Sequence, residues 1–253
     1  MSISAVFTVS LGAMIGSGIF VLPGLATELA GPAAVVAYLL AGLIVVPAAL
    51  SMAEMASAMP IAGGTYVFID RAMGPLMGTI AGFGVWFALV FKSAFALVGF
   101  EGYLDFFVDI PVELVGIGLA VLLTAMNATG VRVSGRFQTV IVAAVLGVLM
   151  FIVVGGAGST DPEAFTPFAP HGFGGILAAT GLVFVSYAGV TKVASIAEEV
   201  RNPSRSLPIG MLGSIGLMLI LYPALIAVVV GNVDLATLST DAAPMVTAAG
   251  RFS

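Results

Sequence analysis

The sequence contains no cysteine, one histidine and one tryptophan, and charged residues make up only 8% of it. Without cysteine there is no disulfide framework and no thiolate metal site, and His171 alone cannot supply a histidine cluster. So low a charge excludes an ordinary soluble domain. Acidic residues outnumber basic ones by 13 to 8, which gives no reason to expect nucleic acid as a partner. We therefore expect neither a metal nor another cofactor.

Long apolar runs dominate the chain, which is 60% hydrophobic with a mean hydropathy of +1.19. A helix needs about 20 mostly apolar residues to cross a bilayer. We predict seven such segments, over residues 2–29, 33–59, 77–100, 112–128, 137–154, 174–197 and 209–230. The runs do not alternate between polar and apolar residues, which favours helices over the strands of a transmembrane barrel. The sequence thus predicts an all-α integral membrane protein that crosses the bilayer several times.

Basic residues near the ends of these segments predict the orientation, because Lys and Arg favour the cytoplasmic side of a membrane. They follow the second, fourth and sixth segments, at Arg71, Arg132, Arg136, Arg201 and Arg205. The loops after the first, third and fifth segments contain no Lys or Arg. We predict a multi-pass protein of the cytoplasmic membrane whose N-terminus lies inside.

The first segment contains Gly16, Ser17 and Gly18 in its middle. Glycine inside a helix costs about 1 kcal/mol relative to alanine, so this triplet predicts a break with exposed backbone amides. A second half-helix that restarts at Ile19 would direct its positive end at the break, where it favours a carboxylate. Gly12 and Gly16 also form a GxxxG pair, and close helix packing explains such pairs equally well.

A second interruption is predicted in the sixth segment, where small and polar residues occupy positions 184–191. Corresponding breaks in the first and sixth segments are typical of an inverted repeat of five helices plus five, with the ligand between the breaks. Residues 1–157 would then form the first repeat, and residues 158–253 the beginning of the second. Taken singly, Gly189 is also explained by packing, and Tyr187 by an internal hydrogen bond.

Two lysines lie at membrane depth, Lys92 in the third segment and Lys192 in the sixth. A charge inside a bilayer costs several kcal/mol, so such residues are candidates for function. Lys192 lies near enough to the cytoplasmic end to extend its ammonium to the surface. Lys92 lies deeper, and pairing with Glu101 or a wet cavity would also account for it.

Four motifs in this chain resemble the amino acid permeases of the amino acid-polyamine-organocation (APC) superfamily. They are GAMIGSGIFVLPG at 12–24, PIAGGTY at 60–66, NATGV at 127–131 and AEEVRNPSRSLPIG at 197–210. The resemblance implies an APC-type five-plus-five fold with broken helices 1 and 6. Relatives have about twelve helices, so the chain corresponds to an N-terminal portion with about seven of them.

The resemblance also implies a secondary transporter that moves amino acids by alternating access, driven by protons or by exchange. In such proteins the substrate carboxylate meets the first break, here the amides and hydroxyl of Gly16, Ser17 and Gly18. The substrate ammonium meets freed carbonyls, which by motif position belong to Met14, Val185 and Ala188. The pocket for the substrate side chain would involve Tyr187, Gly189 and Thr191.

The chain departs from the family pattern in three respects. Val185 is aliphatic where relatives often have an aromatic residue that closes the site, and Ala144 stands where some relatives have a coupling lysine. Lys92 and Lys192 are therefore the candidates for proton coupling. The third departure is length, which raises the alternative of a non-transporting fragment, or of one half of a split transporter whose partner chain supplies the missing helices.

Other function classes fit the sequence less well. An intramembrane enzyme needs a nucleophile with its base, paired carboxylates or a metal cluster, and the sequence offers none of these inside the segments. A channel would show a repeated filter loop or a charged ring, and the sequence shows neither. We expect a transporter of neutral amino acids, because Thr191 stands where arginine-handling relatives can carry an acidic residue and because Lys192 disfavours further positive charge.

Overall fold

The computed structural model describes residues 1–104, 111–128, 131–238, 241 and 243–252. Regular structure in this part of the chain is helical throughout. The first half contains α1 (Ile3–Met14), α2 (Ser17–Phe20), α3 (Leu22–Ala30), α4 (Ala34–Ala58), α5 (Thr65–Met73), α6 (Pro75–Leu104) and α7 (Val112–Ala128). The second half contains α8 (Val131–Gly156), α9 (Gly172–Val183), α10 (Val185–Ala188), α11 (Pro203–Asn232), α12 (Leu235–Leu238) and α13 (Pro244–Ala249). Tighter 3₁₀ helices occupy Gly31–Ala33, Pro162–Phe165 and Gly189–Glu199.

The predicted all-helical membrane architecture is confirmed. In the described residues, five helical runs are long and apolar enough to cross a membrane, namely Leu22–Ala58, Pro75–Leu97, Phe137–Gly156, Gly172–Glu199 and Pro203–Asn232. The predicted first segment is divided into α1, α2 and α3, and α7 has 17 residues. Some residues named above lie outside the described part of the chain, namely Thr129 and Gly130 together with the side chains of Ser17, Glu101, Asn127, Arg132 and Arg136.

The centre of the bundle is formed by α4 and α11, which pack along each other, while α1 packs against α11 and α8. Along α4 the buried residues are mostly small, as at Ala37, Ala41 and Ala49. Small side chains let helix backbones approach closely, which is how helices associate inside a membrane. By contrast, every described residue of the run Pro75–Leu97 in α6 except Gly78 is at least partly exposed, so α6 lies at the edge of the bundle.

The loop before α5 brings the second segment against the sixth. Gly63 and Gly64 adopt positive φ angles of 113° and 50°, which residues with a side chain rarely adopt. A Cβ atom on Gly64 would also collide with the side chain of Ser195 in the 3₁₀ helix Gly189–Glu199. The PIAGGTY motif therefore turns the chain where it contacts the sixth segment.

Candidate functional site

The first break overlaps the glycine triplet, but the helix restarts two residues earlier than the triplet predicts. Helix α1 ends at Met14, and Ile15 is extended with φ −67° and ψ 126°. The helix restarts at Ser17 and not at Ile19, because the Gly16 carbonyl accepts hydrogen bonds from the amides of Ile19 at 3.1 Å and Phe20 at 3.3 Å. The unwound backbone is therefore confined to Ile15 and Gly16, while Ser17 and Gly18 belong to a single helical turn.

The second interruption is a change of helix type. After α9 ends at Val183, the single turn α10 leads directly into the 3₁₀ helix Gly189–Glu199. A 3₁₀ segment within a membrane helix often marks a functional hinge, because its hydrogen bonds are poorer than those of an α-helix. Backbone angles leave the helical region at Ile196, with φ −115° and ψ 19°. The sixth segment is thus interrupted by a change from an α-helix to a 3₁₀ helix and by a kink at Ile196.

The two interruptions touch each other through glycine. The Gly18 carbonyl accepts a hydrogen bond from the Ser186 hydroxyl at 3.1 Å, and a Cβ atom on Gly18 would collide with the Ser186 side chain. One turn further on, a Cβ atom on Gly189 would collide with the Ala13 carbonyl. Both glycines are buried, so packing fixes their identity.

The ammonium of Lys92 bridges the two broken helices. Its Nζ donates to the Ala13 carbonyl oxygen at 3.0 Å and to the Val185 carbonyl oxygen at 3.3 Å. Ala13 lies in the last turn of α1, where carbonyls lack helical partners and carry the negative end of the helix dipole. Val185 is the first residue of α10. A cation from α6 therefore lies where the two segments turn their carbonyls toward each other.

An apolar cavity of about 620 Å³ adjoins the first break. It lies between the first segment, α6, α7 and α8, and its walls include Gly16, Phe20, Ser93, Tyr103, Leu119 and Val145. The two polar side chains in this wall bond to backbone, since Ser93 donates to the Leu89 carbonyl at 2.9 Å and Tyr103 to the Phe20 carbonyl at 2.6 Å. No charged residue occurs among the described lining residues. The cavity therefore suits an apolar group.

Sequence comparison places the chain in a family. The amino acid permease family matches residues 5–252, nearly the whole chain. The chain belongs to the amino acid permease family. The resemblance to the APC superfamily is thereby confirmed, and this is a family of transporters.

Three relatives illustrate the range of this permease family. The branched-chain amino acid permease BcaP of Bacillus subtilis is 34% identical over 89% of this chain and 53% of its own length. The methylthioribose transporter of Bacillus subtilis is 30% identical over 90% of this chain and 54% of its own. The chloroplastic cationic amino acid transporter 9 of Arabidopsis thaliana is 32% identical over 92% of this chain and 45% of its own. The chain thus spans about half the length of the curated relatives it matches.

The structure divides the predicted site residues into two groups. Near the carbonyl bridge and the cavity lie Met14, Gly16, Val185 and Lys92, although the side chain of Met14 itself is fully buried. The backbone of Ser17 and Gly18 begins the turn that follows the break. Gly16, Ser17 and Gly18 remain the predicted contacts for the carboxylate. Met14 and Val185 remain predicted contacts for the ammonium, and Lys92 remains a candidate for proton coupling.

The residues predicted to surround the substrate side chain, Tyr187, Gly189 and Thr191, are not among the described lining residues of this cavity. Tyr187 is fully buried, and Gly189 lies against the Ala13 carbonyl. Thr191 is half-buried and donates its hydroxyl to the Ala188 carbonyl at 3.0 Å, and Lys192 follows it in the 3₁₀ helix. Of the nine predicted substrate contacts, Gly16 alone belongs to the described lining of the cavity.

Sequence reasoning missed a buried cluster of three tyrosines behind the first break. Tyr38 of α4 donates to the Gly18 carbonyl at 2.7 Å. Its ring packs edge-on against Tyr222 at 6.0 Å between centroids, and Tyr222 packs against Tyr187 at 5.2 Å. Within the described residues, the hydroxyls of Tyr187 and Tyr222 are buried without a hydrogen-bond partner. Periodicity alone gives no signal for this cluster, because its members come from three different segments.

The tyrosine cluster supplies a matched pair of substitutions. We expect Tyr38→Phe to lower the free energy of unfolding by about 1–2 kcal/mol, because the Gly18 carbonyl loses a buried hydrogen bond. Tyr222→Phe removes a buried hydroxyl that has no hydrogen-bond partner among the described residues, so stability should be unchanged or slightly higher. Thermal unfolding of both variants in the same detergent measures the difference. Equal destabilisation by the two would contradict the role of Tyr38 in securing the break.

Proposed function

We propose that this chain takes part in the transport of amino acids across the cytoplasmic membrane by alternating access, with its N-terminus inside and with no enzymatic reaction. The observation that carries the proposal is the meeting of the two interrupted segments, at Gly18 with Ser186 and at Gly189 with Ala13, beside a cavity that Gly16 lines. Membrane transporters commonly bind substrate where discontinuous helices meet. Family membership supports the same function.

In this proposal the backbone at the two interruptions binds the charged ends of the substrate. The carboxylate binds at the amides of Gly16, Ser17 and Gly18, where the helix restarts and its first N–H groups carry positive partial charge. The ammonium binds at backbone carbonyls, those of Met14, Val185 and Ala188. Opposite ends of a zwitterion thus meet opposite ends of two broken helices.

We further propose a neutral, apolar side chain for the substrate. The cavity beside Gly16 presents aliphatic and aromatic groups, and the polar side chains in its described wall already bond to backbone. A cationic side chain would enter an apolar space without a counter-charge, close to the ammonium of Lys92. The name of BcaP, a branched-chain permease, agrees with this substrate class.

Coupling to protons or to exchange of a second substrate is also part of the proposal. Lys92 and Lys192 are the ionisable cations at membrane depth, and Lys92 contacts both interrupted segments. A group in that position changes the contacts of both segments when it gains or loses a proton. We assign residues 1–157 to the first five-helix repeat and residues 158–253 to the beginning of the second.

Reconstitution of the chain into liposomes tests this function. We expect saturable uptake of labelled leucine that excess isoleucine inhibits and excess lysine does not, measured with and without an inward proton gradient. Acceleration by the gradient would favour proton coupling, whereas acceleration by leucine inside the liposomes would favour exchange. Folded protein that neither binds nor transports any amino acid would contradict the proposal. Binding without uptake would favour the alternative that the chain acts with a partner chain that supplies further helices.

A further inference from the structure

The ammonium of Lys92 binds two backbone carbonyls, those of Ala13 and Val185, that could also bind another ammonium. Lys92 belongs to α6, at the edge of the bundle, yet its Nζ extends to Ala13 of the first segment and Val185 of the sixth. The three residues are far apart in sequence, and they meet only at the interruptions. The side chain is half-buried, so its ammonium is not simply solvated at the surface.

The two carbonyls have the chemistry of an ammonium site. A lysine ammonium carries three N–H donors and no acceptor, and two of the three are directed at these oxygens. Because Ala13 lies in the last turn of the twelve-residue helix α1, its carbonyl carries the negative end of the helix dipole as well. Gly189 allows the close approach of the sixth segment, since any side chain there would collide with this carbonyl.

Substrate that reaches Gly16 arrives beside this site. Gly16 lies three residues after Ala13, and Ser93, the neighbour of Lys92 in α6, lines the same cavity as Gly16. An amino acid held at the first break therefore brings a second ammonium close to acceptors that already bind one. Two ammonium groups cannot share a pair of carbonyls without strong repulsion, since they are like charges at short range.

We propose that the Ala13 and Val185 carbonyls form an ammonium-binding site that Lys92 occupies when substrate is absent, and that the α-ammonium of a bound amino acid takes this site by displacing Lys92, with Ala13 in place of Met14 and Ala188 among its acceptors. The proposal rests on the proposed transport function. Lys92 thereby keeps the two interrupted segments together in the empty protein and lowers the apparent affinity for substrate. The affinity is lowered by the fraction of molecules in which the site is free.

The truncation Lys92→Ala allows a direct test, because it removes Cγ, Cδ, Cε and Nζ, and n-propylammonium has the same three carbons and ammonium. We expect millimolar n-propylammonium to raise the thermal midpoint of Lys92→Ala and to leave the wild type unchanged. We also expect Lys92→Ala to bind leucine about tenfold more tightly than the wild type, as it should if Lys92 occupies the site in about nine of ten molecules. Propylammonium should compete with this leucine binding.

The matched control is Lys192→Ala, which removes the other membrane lysine but no contact with the Ala13 or Val185 carbonyl. If the gain in leucine affinity came from lost positive charge alone, both truncations would show it. If Lys92→Ala does not fold, Lys92→Gln keeps most of the side-chain length with an uncharged donor, and its weaker hydrogen bonds should give an intermediate leucine affinity.

Three results would overturn the proposal. The first is equal stabilisation of wild type and Lys92→Ala by propylammonium. The second is measurable leucine binding by both proteins that is no tighter in Lys92→Ala, and the third is an equal gain in leucine affinity for the two lysine truncations. Failure of the transport function gives a different pattern. Propylammonium would then stabilise Lys92→Ala selectively, which supports the ammonium site, while no variant would bind any amino acid.

Discussion

Gly189→Val is expected to destabilise the bundle strongly, with a loss of about 3 kcal/mol or more in the free energy of unfolding. A Cβ atom at this position collides with the backbone carbonyl of Ala13, so the collision cannot be relieved by turning a side chain. The first segment or the 3₁₀ helix must move, and the Lys92 bridge to Ala13 is disrupted with it. The thermal midpoint in detergent should fall by about 6–12 °C.

Gly181→Ala is the matched control for this substitution. Gly181 lies in α9, in the same predicted segment, and a Cβ atom there meets nothing within 4 Å. Alanine also favours a helix over glycine by up to about 1 kcal/mol. We therefore expect Gly181→Ala to match or exceed the stability of the wild type. A folded Gly189→Val protein as stable as the Gly181→Ala control would show that the two segments do not meet as described.

The positions of the two breaks were predictable because their signals are local. Gly16, Ser17 and Gly18 lie together in an otherwise apolar run, and helix-breaking residues act on the backbone of their own segment. The restart at Ser17 was not predictable in the same way. It depends on the hydrogen bonds that the Gly16 carbonyl accepts, which the composition of the run does not determine.

The contacts of the site were beyond sequence reasoning because they join distant segments. Lys92 was a candidate from its depth alone, whereas its acceptors Ala13 and Val185 are ordinary apolar residues that act through their backbone. Tyr38 and Ser186 both bind the Gly18 carbonyl, and neither belongs to the motif that contains Gly18. Every residue has a backbone carbonyl, whatever its side chain, so a sequence pattern cannot identify which carbonyls act as acceptors.

Packing also determines at which glycine a substitution can test substrate binding. Gly18 lies near the expected carboxylate site, but any side chain there collides with Ser186. A bulky substitution such as Gly18→Leu would therefore abolish activity through misfolding, whatever the site binds. A Cβ atom on Gly16 meets nothing within 4 Å, and Gly16 lines the cavity. A large side chain at Gly16 can therefore block substrate binding without disturbing the fold.

Gly16→Phe is accordingly expected to keep the fold and to abolish substrate binding. Gly16 does not have a positive φ angle, so a side chain is compatible with its backbone. The phenyl ring would project into the cavity of about 620 Å³ and cover the amides at the break. We expect leucine binding and uptake to fall by at least about 100-fold, because the ring would exclude the carboxylate from backbone amides whose hydrogen bonds to a charged group contribute about 1.5–3 kcal/mol each. The thermal midpoint should stay close to that of the wild type.

Gly84→Phe is the control for Gly16→Phe, because it adds the same aromatic side chain to a helix outside the site. Gly84 lies in the exposed helix α6, and a Cβ atom there also meets nothing within 4 Å. It is not among the described residues of the cavity wall, so Gly84→Phe should retain leucine binding. Gly16→Ala, with one added methyl group, should bind leucine with an affinity between those of the wild type and Gly16→Phe. Undiminished binding by folded Gly16→Phe would place the substrate elsewhere, because a site at the first break cannot accept both the phenyl ring and a carboxylate.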